Sequence, residues 1–423
     1  MSGKTWAEEL TLNLSARNTK DEFYGSDTTY SGKLGYRPVE SLLLRATAGT
    51  SFRAPNLREN FLLGQSGFSN VFDPCAIPEA AIDPLSGGYN PAADTRSQLV
   101  LDNCLANGVD PTMLNKNGFN TYSVEVARGV GSTALEPETS DSVSIGFAFD
   151  QPWWDDIELS IGATYYKIEI DDTIITPGSQ FIVNQCYNST TGSSVFCDKV
   201  FRDSDGFLDF LNAEFFNRDK ATAEGIDINI ALETTLTMFD RPVDWALDIA
   251  LNHGLENSEN FVNADNESDF EDFQGEWGLP DWQGTLGLRA DVGDYRFTWS
   301  TRWIGDVEED SELIDDFTNV DFDFDSTCFG PNNSFGFPAD YNCRDASFAD
   351  DYFLHSASVY YYGDVWTFGF GVRNVFDEEP PKVDPGENFE SLNAIGNTPI
   401  GYGYDLNGRT YFLNVAASFP GLQ

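Results

Sequence analysis

The sequence predicts an all-β protein, an antiparallel up-and-down transmembrane β-barrel of about twelve strands with long external loops. Three observations support this prediction. Tyr295–Trp303 alternates aromatic side chains with charged or hydroxylated ones, which gives a strand one apolar and one polar face. Similar segments recur about a dozen times, with large aromatic residues near their ends. The connections between them alternate between short polar turns and long loops, as in barrels with a lipid-facing exterior and a wet interior.

Each predicted strand is a run of alternating apolar and polar residues that ends at turn-forming residues. In chain order the runs are 10–17, 30–37, 42–53, 143–149, 157–170, 226–232, 245–251, 282–288, 295–303, a strand that ends at 360–362, 366–372 and 410–419. The apolar parity changes between Tyr165 and Tyr166, which predicts either a β-bulge or a strand that continues above the bilayer. The even strand number predicts that both chain ends lie on the periplasmic side.

Composition excludes two classes of protein. The formal net charge is −45, with 24 basic against 69 acidic residues, which argues against nucleic-acid binding because such binding depends on cationic neutralisation of phosphates. No run of 18 or more apolar residues exists, which excludes a helical membrane protein, whereas a barrel strand needs only about 9–11 alternating residues. The first ten residues, MSGKTWAEEL, lack the features of a signal peptide, so we expect either a fragment or a protein that is not exported.

The six cysteines form three pairs that are close in sequence, each within one predicted loop. Six cysteines permit fifteen pairings, and proximity alone favours Cys75 with Cys104, Cys186 with Cys197, and Cys328 with Cys343. No pair has the spacing of a zinc or redox motif. Disulfides in long loops predict an oxidising compartment.

Four stretches resemble the TonB-dependent receptors, the outer-membrane active transporters of Gram-negative bacteria. SFRAPNLRENF at 51–61 resembles the family's strand-end motif, and LEPETSDSVSIGF at 135–147 resembles its next strand. GVRNVFDEEPP at 371–381 and YDLNGRTYFLNVAASF at 404–419 resemble its last two strands. These stretches occur in the same order as in the family, and the resemblance covers nearly the whole chain, which we treat as one barrel region over residues 1–423.

The resemblance implies a larger assembly. Members of the family have an N-terminal plug domain, a short segment that contacts TonB, and a barrel of twenty-two strands. The sequence shows neither plug nor TonB segment, so it resembles the C-terminal half of a receptor barrel. The implied partners are outer-membrane lipid, the plug and remaining strands, TonB through that plug, and a small nutrient. The family's terminal aromatic, a signal for barrel assembly, would correspond to Phe419, with Tyr411 in the same strand.

Basic residues on the predicted polar faces are candidates for contact with a plug or a substrate. They are Arg17, Lys33, Arg37, Arg45, Arg53, Arg289, Arg296, Arg302 and Arg373. The alternative is pairing with acids of the same face, such as Asp227 and Asp248, because buried charges need partners. We select Arg53, Arg296 and Arg302 as candidate substrate-binding residues.

Aromatic residues divide into two predicted groups. Loop aromatics are candidates for stacking on a substrate: Phe61, Phe68 and Tyr89. Tryptophans near strand ends are expected to form an interfacial girdle: Trp153, Trp154, Trp245, Trp282 and Trp366.

Catalysis, metal binding and a cofactor are not predicted. The two histidines are His253 and His355, and the neighbouring Ser356 would point to the opposite face of its strand. Asp203-Ser204-Asp205-Gly206 resembles part of a calcium loop, but Phe201 and Asn212 occupy its first and last ligand positions. The sequence therefore predicts no enzyme.

The predicted function is that of barrel wall and ligand-capturing loops in a TonB-dependent transporter of the outer membrane. Its nutrient would be a siderophore, cobalamin or a saccharide. The alternative is an autonomous twelve-strand barrel that acts as a passive pore, since about twelve strands can close.

Overall fold

A computed structural model of the chain describes residues 2–4, 7–83, 85–116, 119–190, 194–238, 240–262, 268–308, 348–381, 394–395 and 398–418. Fourteen strands of this part form one large antiparallel sheet, which we call the wall. Twelve of them have at least eight residues and coincide with the twelve predicted strands. The local alternation of side chains was therefore sufficient to find them.

Consecutive wall strands pair with each other, except for β13 (Ser268–Asp272), which pairs only with β12 (Arg241–Val262). The wall strands are β1 (Ser2–Lys4), β2 (Ala7–Asp21), β3 (Gly25–Val39), β4 (Leu42–Arg53), β7 (Glu138–Asp150), β8 (Ile157–Ile175), β11 (Phe216–Met238), β12 (Arg241–Val262), β13 (Ser268–Asp272), β14 (Trp282–Val292), β15 (Tyr295–Ile304), β18 (Tyr352–Tyr362), β19 (Trp366–Arg373) and β22 (Thr410–Ala417).

The remaining elements lie in the long connections. A four-stranded sheet contains β5 (Leu63–Phe72), β6 (Thr121–Val130), β9 (Val200–Arg202) and β10 (Leu208–Glu214), and two short ladders join β16 (Val307–Glu308) to β17 (Phe348–Ala349) and β20 (Ala394–Ile395) to β21 (Thr398–Pro399). The helices are α1 (Leu57–Phe61), α2 (Gln98–Ala106), α3 (Ser179–Tyr187) and two 3₁₀ turns at Glu79–Ala81 and Cys197–Lys199. No helix in the described parts of the chain is long and apolar enough to cross a membrane.

The pairing register gives the wall an apolar face and a polar face. Leu12 pairs with Leu34, which pairs in turn with Ala46, and Ile145 continues this row on β7. Large apolar side chains on this face are exposed, with solvent-accessible fractions of 47% for Phe297, 45% for Phe368 and 74% for Leu413. No second layer formed by the described residues covers these three side chains, as expected for a surface that contacts lipid.

The connections fall into two sets. Short turns join β3 to β4, β7 to β8, β11 to β12, β14 to β15 and β18 to β19 at one edge of the wall, the short-turn edge. Most of the connections at the opposite edge, the long-loop edge, are long. The three-residue turn between β2 and β3 is an exception, because these strands extend further than their apolar pattern indicates. Asp240 and Gly293, with φ of 60° and 56°, provide the left-handed conformation in two of the tight turns.

The parity change after Tyr165 is not a bulge. β8 pairs with β7 and β11 without a register shift at this point, so the strand continues beyond its apolar segment to Ile175. The register shift lies instead on β11, between Glu224 and Gly225, where β11 pairs with β12. Of the two alternatives that the sequence left open, the structure therefore supports the continuing strand.

Candidate functional site

All nine basic residues that the sequence placed on polar strand faces lie on the polar face of the wall. The ladders connect them from β2 to β19 without a change of face. The alternative, pairing with acids of the same face, is found for Arg53 with Glu138 and for Arg289 and Arg296 with Asp291, but in the described part it does not involve Asp227 or Asp248. Asp227 instead accepts a hydrogen bond from Asn252 Nδ2 at 2.9 Å.

Two adjacent rows of polar side chains surround a hollow on this face, near the long-loop edge. The register places one row on β11, β12 and β14 and the next on β11, β14 and β15, with the small side chain of Ala250 between them on β12. We call this group the amide hollow and define it by these residues: Asp227, Asn229, Asn252, Gln283, Thr285 and Arg302. The hollow has a volume of about 470 Å³, and Tyr402 and Gly403 close one side of it.

Of the three predicted basic site residues, only Arg302 lies in the hollow. Arg53 ends β4, where its guanidinium contacts Glu59 Oε1 at 2.9 Å and Glu138 Oε1 at 2.7 Å. Arg296 lies beside a short turn, 2.7 Å from Asp291 Oδ1 and with its guanidinium carbon 5.7 Å from the centre of the Tyr362 ring. The structure thus separates these three residues.

The contacts of Arg53 connect two of the stretches that resemble the receptor family, the first motif at 51–61 and the second motif at 135–147. In the first motif, the Asn56 side chain caps α1 by accepting hydrogen bonds from the backbone. The Glu59 carboxylate in turn accepts from Asn56 N, which completes a capping box. Arg53 joins this helix to Glu138 of the second motif, which also accepts from Ile174 N at 2.8 Å. The motifs therefore fix the long-loop edge of β4, β7 and β8.

The two C-terminal motifs also meet. Asn374 has a φ of 53° and is 1% exposed, and its amide exchanges two hydrogen bonds with the backbone of Glu378. The carboxylate of Asp377 accepts from Arg409 N at 2.7 Å. Asparagine suits this position because it adopts the left-handed backbone conformation more readily than most residues and its side chain can hydrogen-bond to nearby backbone groups.

The candidate loop aromatics have different environments. Phe61 at the end of α1 and Phe68 on β5 are exposed, as stacking on a ligand would require. Tyr89 is half-buried, and its hydroxyl donates to Asp94 Oδ2 at 2.8 Å. Asp94 in turn binds Arg96, whose side-chain hydrogen bonds are the main reason that the pKa of Asp94 falls to about 2.

A feature that sequence reasoning missed is a folded unit built from two separate connections. Residues 54–137, between β4 and β7, and residues 176–215, between β8 and β11, together form what we call the cross-loop module. β6 from the first segment pairs in parallel with β10 from the second. A buried core lies beneath this sheet, and Val71, Val126 and Leu211 are fully buried in it.

A buried ion pair links the two halves of the module. Arg202 Nη1 and Nη2 donate to Asp73 Oδ2 and Oδ1 at 2.7 and 2.8 Å, and the Tyr122 hydroxyl donates to Asp73 at 2.6 Å. Burial alone would lower the pKa of Arg202, but the hydrogen bonds and charge of Asp73 outweigh it and raise that pKa. Burial and the charge of Asp73 likewise raise the pKa of Tyr122. Arg202 therefore stays charged and Tyr122 stays neutral at neutral pH.

Side-chain amides provide further contacts between the segments. Asn103 Nδ2 donates to the carbonyls of Tyr187 and Ser189 at 2.8 and 2.7 Å. Gln180 bonds both the amide and the carbonyl of Phe72. The two Asn103 hydrogen bonds are buried and fix the relative position of the two segments, because breaking them leaves buried groups unsatisfied.

The module is also attached to the wall. Phe181 of α3 and Phe196 form a cluster of ring contacts with Phe216 on β11 and Phe261 on β12, at centroid distances from 5.2 to 6.0 Å. Arg218 on β11 reaches both the Phe181 ring and Glu259. The extended ends of β11 and β12 therefore hold the module at the long-loop edge of the wall.

Two of the three predicted disulfides are confirmed, and both lie in the module. Cys75 is bonded to Cys104, and Cys186 is bonded to Cys197. Cys328 and Cys343 lie outside the described residues. So does Phe419, whereas Tyr411 lies on the apolar face of β22 with 65% of its surface exposed.

The histidines show no catalytic arrangement. His253 Nδ1 lies 3.0 Å from the Asp281 carbonyl, and His355 Nδ1 lies 2.9 Å from Thr301 Oγ1, both on the apolar face. Neither contact supplies a nucleophile and base in a polar cleft. Within the described ranges, no three His, Cys, Asp or Glu residues are grouped as metal ligands.

An antiparallel sheet with an exposed apolar face, a charged polar face and long connections along one edge defines a protein of the transmembrane β-barrel class. A model of the family described as TonB dependent receptor-like, beta-barrel matches residues 4–375. This chain belongs to that family, whose members are transporters and not enzymes.

The chain is similar to solved receptor structures in fold. The ferric enterobactin receptor PfeA of Pseudomonas aeruginosa is 15% identical with a TM-score of 0.52, over 97% of this chain and 43% of that one. The siderophore receptor PirA of Acinetobacter baumannii is 14% identical with a TM-score of 0.51, over 96% and 43%. This chain thus spans less than half the length of these receptors. No curated protein matches it significantly.

Proposed function

We propose that this chain forms barrel wall and ligand-capturing loops of an outer-membrane transporter that uses TonB to take up a scarce nutrient. One observation carries the proposal: a single sheet exposes apolar side chains on one face and places nine basic residues on the other. Lipid would cover the first face, and a plug and a passing nutrient would contact the second. The nutrient class, whether siderophore, cobalamin or saccharide, follows from none of the comparisons.

The proposal includes partners beyond this chain. No ladder among the described residues joins β1 or β2 to β22, so these wall strands form an open sheet. Exposed edges of this length are a liability unless another strand pairs with them. Further barrel strands and a plug, which the family resemblance implies, would complete the wall and carry the contact with TonB.

The test uses the complete reading frame in a Gram-negative host with and without a functional TonB. We expect the product to be found in the outer-membrane fraction and to migrate on gels in a heat-dependent way. Uptake of a radiolabelled nutrient from a panel of ferric siderophores, cobalamin and oligosaccharides should require TonB. Uptake that is equally fast without TonB and proportional to concentration would instead support the passive pore.

A further inference from the structure

β5 forms one edge of the sheet in the cross-loop module, and this edge lacks the usual protection against pairing. The sheet order is β5, β6, β10, β9, so within the described part of the chain β5 pairs only with β6. Its ten residues, LGQSGFSNVF, include no charged residue and no proline, and its ladder with β6 has no register shift. Proteins normally protect an exposed edge with charges, a proline, a bulge or a very short strand.

The opposite edge of the same sheet is protected. β9 has only three residues, Val200–Arg202, and it ends in the cation of the buried ion pair. Its ladder with β10 shifts register between Leu208 and Phe210. A short, charged and irregular edge resists the addition of a strand. The two edges of one sheet therefore differ in their capacity to pair, and only β5 presents a regular, uncharged edge of full length.

The contacts of Phe72 show which backbone groups of β5 face the free edge. The side-chain amide of Gln180 accepts from Phe72 N at 2.8 Å and donates to Phe72 O at 3.1 Å, as the peptide group of a neighbouring strand would. Backbone groups along a strand alternate in direction, so those of Ser66, Phe68 and Asn70 point the same way as those of Phe72. A partner strand can therefore pair with these three residues, and Gln180 marks the end of the available edge.

Apolar side chains lie beside these backbone groups. Phe68 and Phe72 are on the outer face of the module sheet, away from its buried core, and are 75% and 40% exposed. The registers continue the row of Phe68 through Glu125 on β6 to Phe210 on β10 and Phe201 on β9. A strand added to β5 would extend this row and bury its own apolar side chains against Phe68. Backbone hydrogen bonds combined with apolar contacts on alternate residues are the means by which sheet edges recognise extended peptides.

The charge of the module determines which partner fits this edge. Residues 54–137 and 176–215 contain fourteen acidic and six basic side chains, which gives the module a net charge of −8. A second copy of the chain would bring the same negative charge to the edge, so electrostatic repulsion opposes pairing between copies. A basic segment is attracted instead, because complementary charge favours the encounter and suppresses wrong partners.

We propose that the free edge of β5 binds an extended, basic segment of a partner protein, which adds to the module as a fifth strand. Ser66, Phe68 and Asn70 provide the backbone hydrogen bonds, Phe68 and Phe72 contact apolar side chains of the segment, and the acids of the module attract its lysines or arginines. This inference goes beyond the proposed function, since it concerns a protein partner and not the nutrient.

The test is calorimetric titration of the purified full-length receptor with three nine-residue peptides. The first alternates lysine and valine, the second has the same sequence with N-methyl groups on its three central residues, and the third alternates glutamate and valine. We expect the first peptide to bind, and the other two to bind at least about tenfold more weakly, because the second lacks backbone donors and the third has the wrong charge.

A pair of variants at one position separates the backbone from the side chain. Ser66→Pro removes the N–H that faces the free edge and should weaken binding of the lysine–valine peptide about tenfold. The strand should keep its fold, because proline is tolerated at an edge where the N–H points away from the sheet. Ser66→Thr retains the N–H, and this matched control should bind as the wild type does.

Hydrogen exchange of the wild-type receptor provides a second measurement that needs no variant. The lysine–valine peptide should slow exchange at the amides of Ser66, Phe68 and Asn70. Slow exchange of these amides in the free receptor would show that another part of the receptor covers the edge, and would overturn the proposal. Equal affinity for the three peptides, unchanged binding by Ser66→Pro, or no binding of the first peptide would also overturn it. Self-association that Ser66→Pro abolishes would identify a second copy as the occupant instead.

Discussion

The wall and the cross-loop module place their apolar residues in opposite ways. In the module, Val71, Val126 and Leu211 are fully buried beneath a sheet and helices. On the wall, residues of the same type such as Leu12 and Ile145 are 66% and 58% exposed. Folding in water requires the first arrangement, because burial of apolar area is the main stabilising contribution there. The second is stable only where hydrocarbon replaces the missing layer, so one chain contains structures suited to two solvents.

The largest expected effect follows from breaking the buried ion pair of the module. Arg202→Met leaves the Asp73 carboxylate buried without its charge partner, which should destabilise the module by roughly 3–5 kcal/mol. Hydrogen exchange of the full receptor should show loss of protection in β5, β6 and β10, with the wall strands unchanged. Lys199→Met is the control, since its pair with Glu214 is partly exposed and should contribute at most about 1 kcal/mol. Equal effects of both variants would contradict this account.

A charge on the apolar face of the wall should have the next largest effect. Ile145→Arg places a guanidinium in hydrocarbon and should cost roughly 2–4 kcal/mol, although the side chain is exposed in the structure. The measurement is the urea midpoint of the receptor folded into lipid vesicles. Ser144→Arg, one residue away on the polar face, should change the midpoint much less. If Ile145→Arg proved as mild as a surface substitution in a soluble protein, this face would not contact lipid.

The two disulfides should stabilise the module to different extents, and this difference is smaller than the two effects above. They close segments with sequence separations of 29 and 11 residues. Loop-closure entropy then predicts that replacing Cys75 and Cys104 by alanine costs about 0.9 kcal/mol more than replacing Cys186 and Cys197. Protease susceptibility of the module under native conditions provides the measurement. The reverse order would show that loop-closure entropy does not decide the relative contribution of the two disulfides.

The smallest expected effect concerns acid. Because the pKa of Asp94 is about 2 in the folded module, below the ordinary 3.8, its ionised form adds stability that is complete above about pH 4. This contribution should be lost as the pH falls from 4 towards 2. Asp94→Asn should remove the corresponding part of the acid dependence of module unfolding, followed by fluorescence. The same change at Asp102 on α2 is the control, and an identical acid profile in wild type and Asp94→Asn would refute the assignment.

The comparison also explains what the sequence could predict. Wall strands have a local signal, the alternation of apolar and polar residues over about ten positions. This signal predicted all twelve long wall strands. It also predicted that the nine basic residues lie on the polar face. Two disulfides followed from proximity in sequence. The family-like motifs gave the correct family, although their structural reason, such as the bridge from Arg53 to Glu59 and Glu138, required coordinates.

The module could not be predicted in the same way. Its defining contacts join residues far apart in sequence, and Asp73 and Arg202 are separated by 129 positions. A single aspartate beside Pro74 and Cys75 carries no signal for such a partner, and the surrounding Gly, Pro and Asn residues favoured a loop without regular structure. The amide hollow was missed for a related reason. Its residues lie on four strands, and only the registers bring them side by side.

The parallel ladder between β6 and β10 imposes an order of events on biogenesis. Its partners, such as Glu125 and Phe210, lie on either side of the complete hairpin formed by β7 and β8. The ladder therefore cannot form until the chain through β10 is available, including that hairpin. Until then the first half of the module is an unfinished sheet with its apolar underside uncovered, for longer than in a loop that closes on itself.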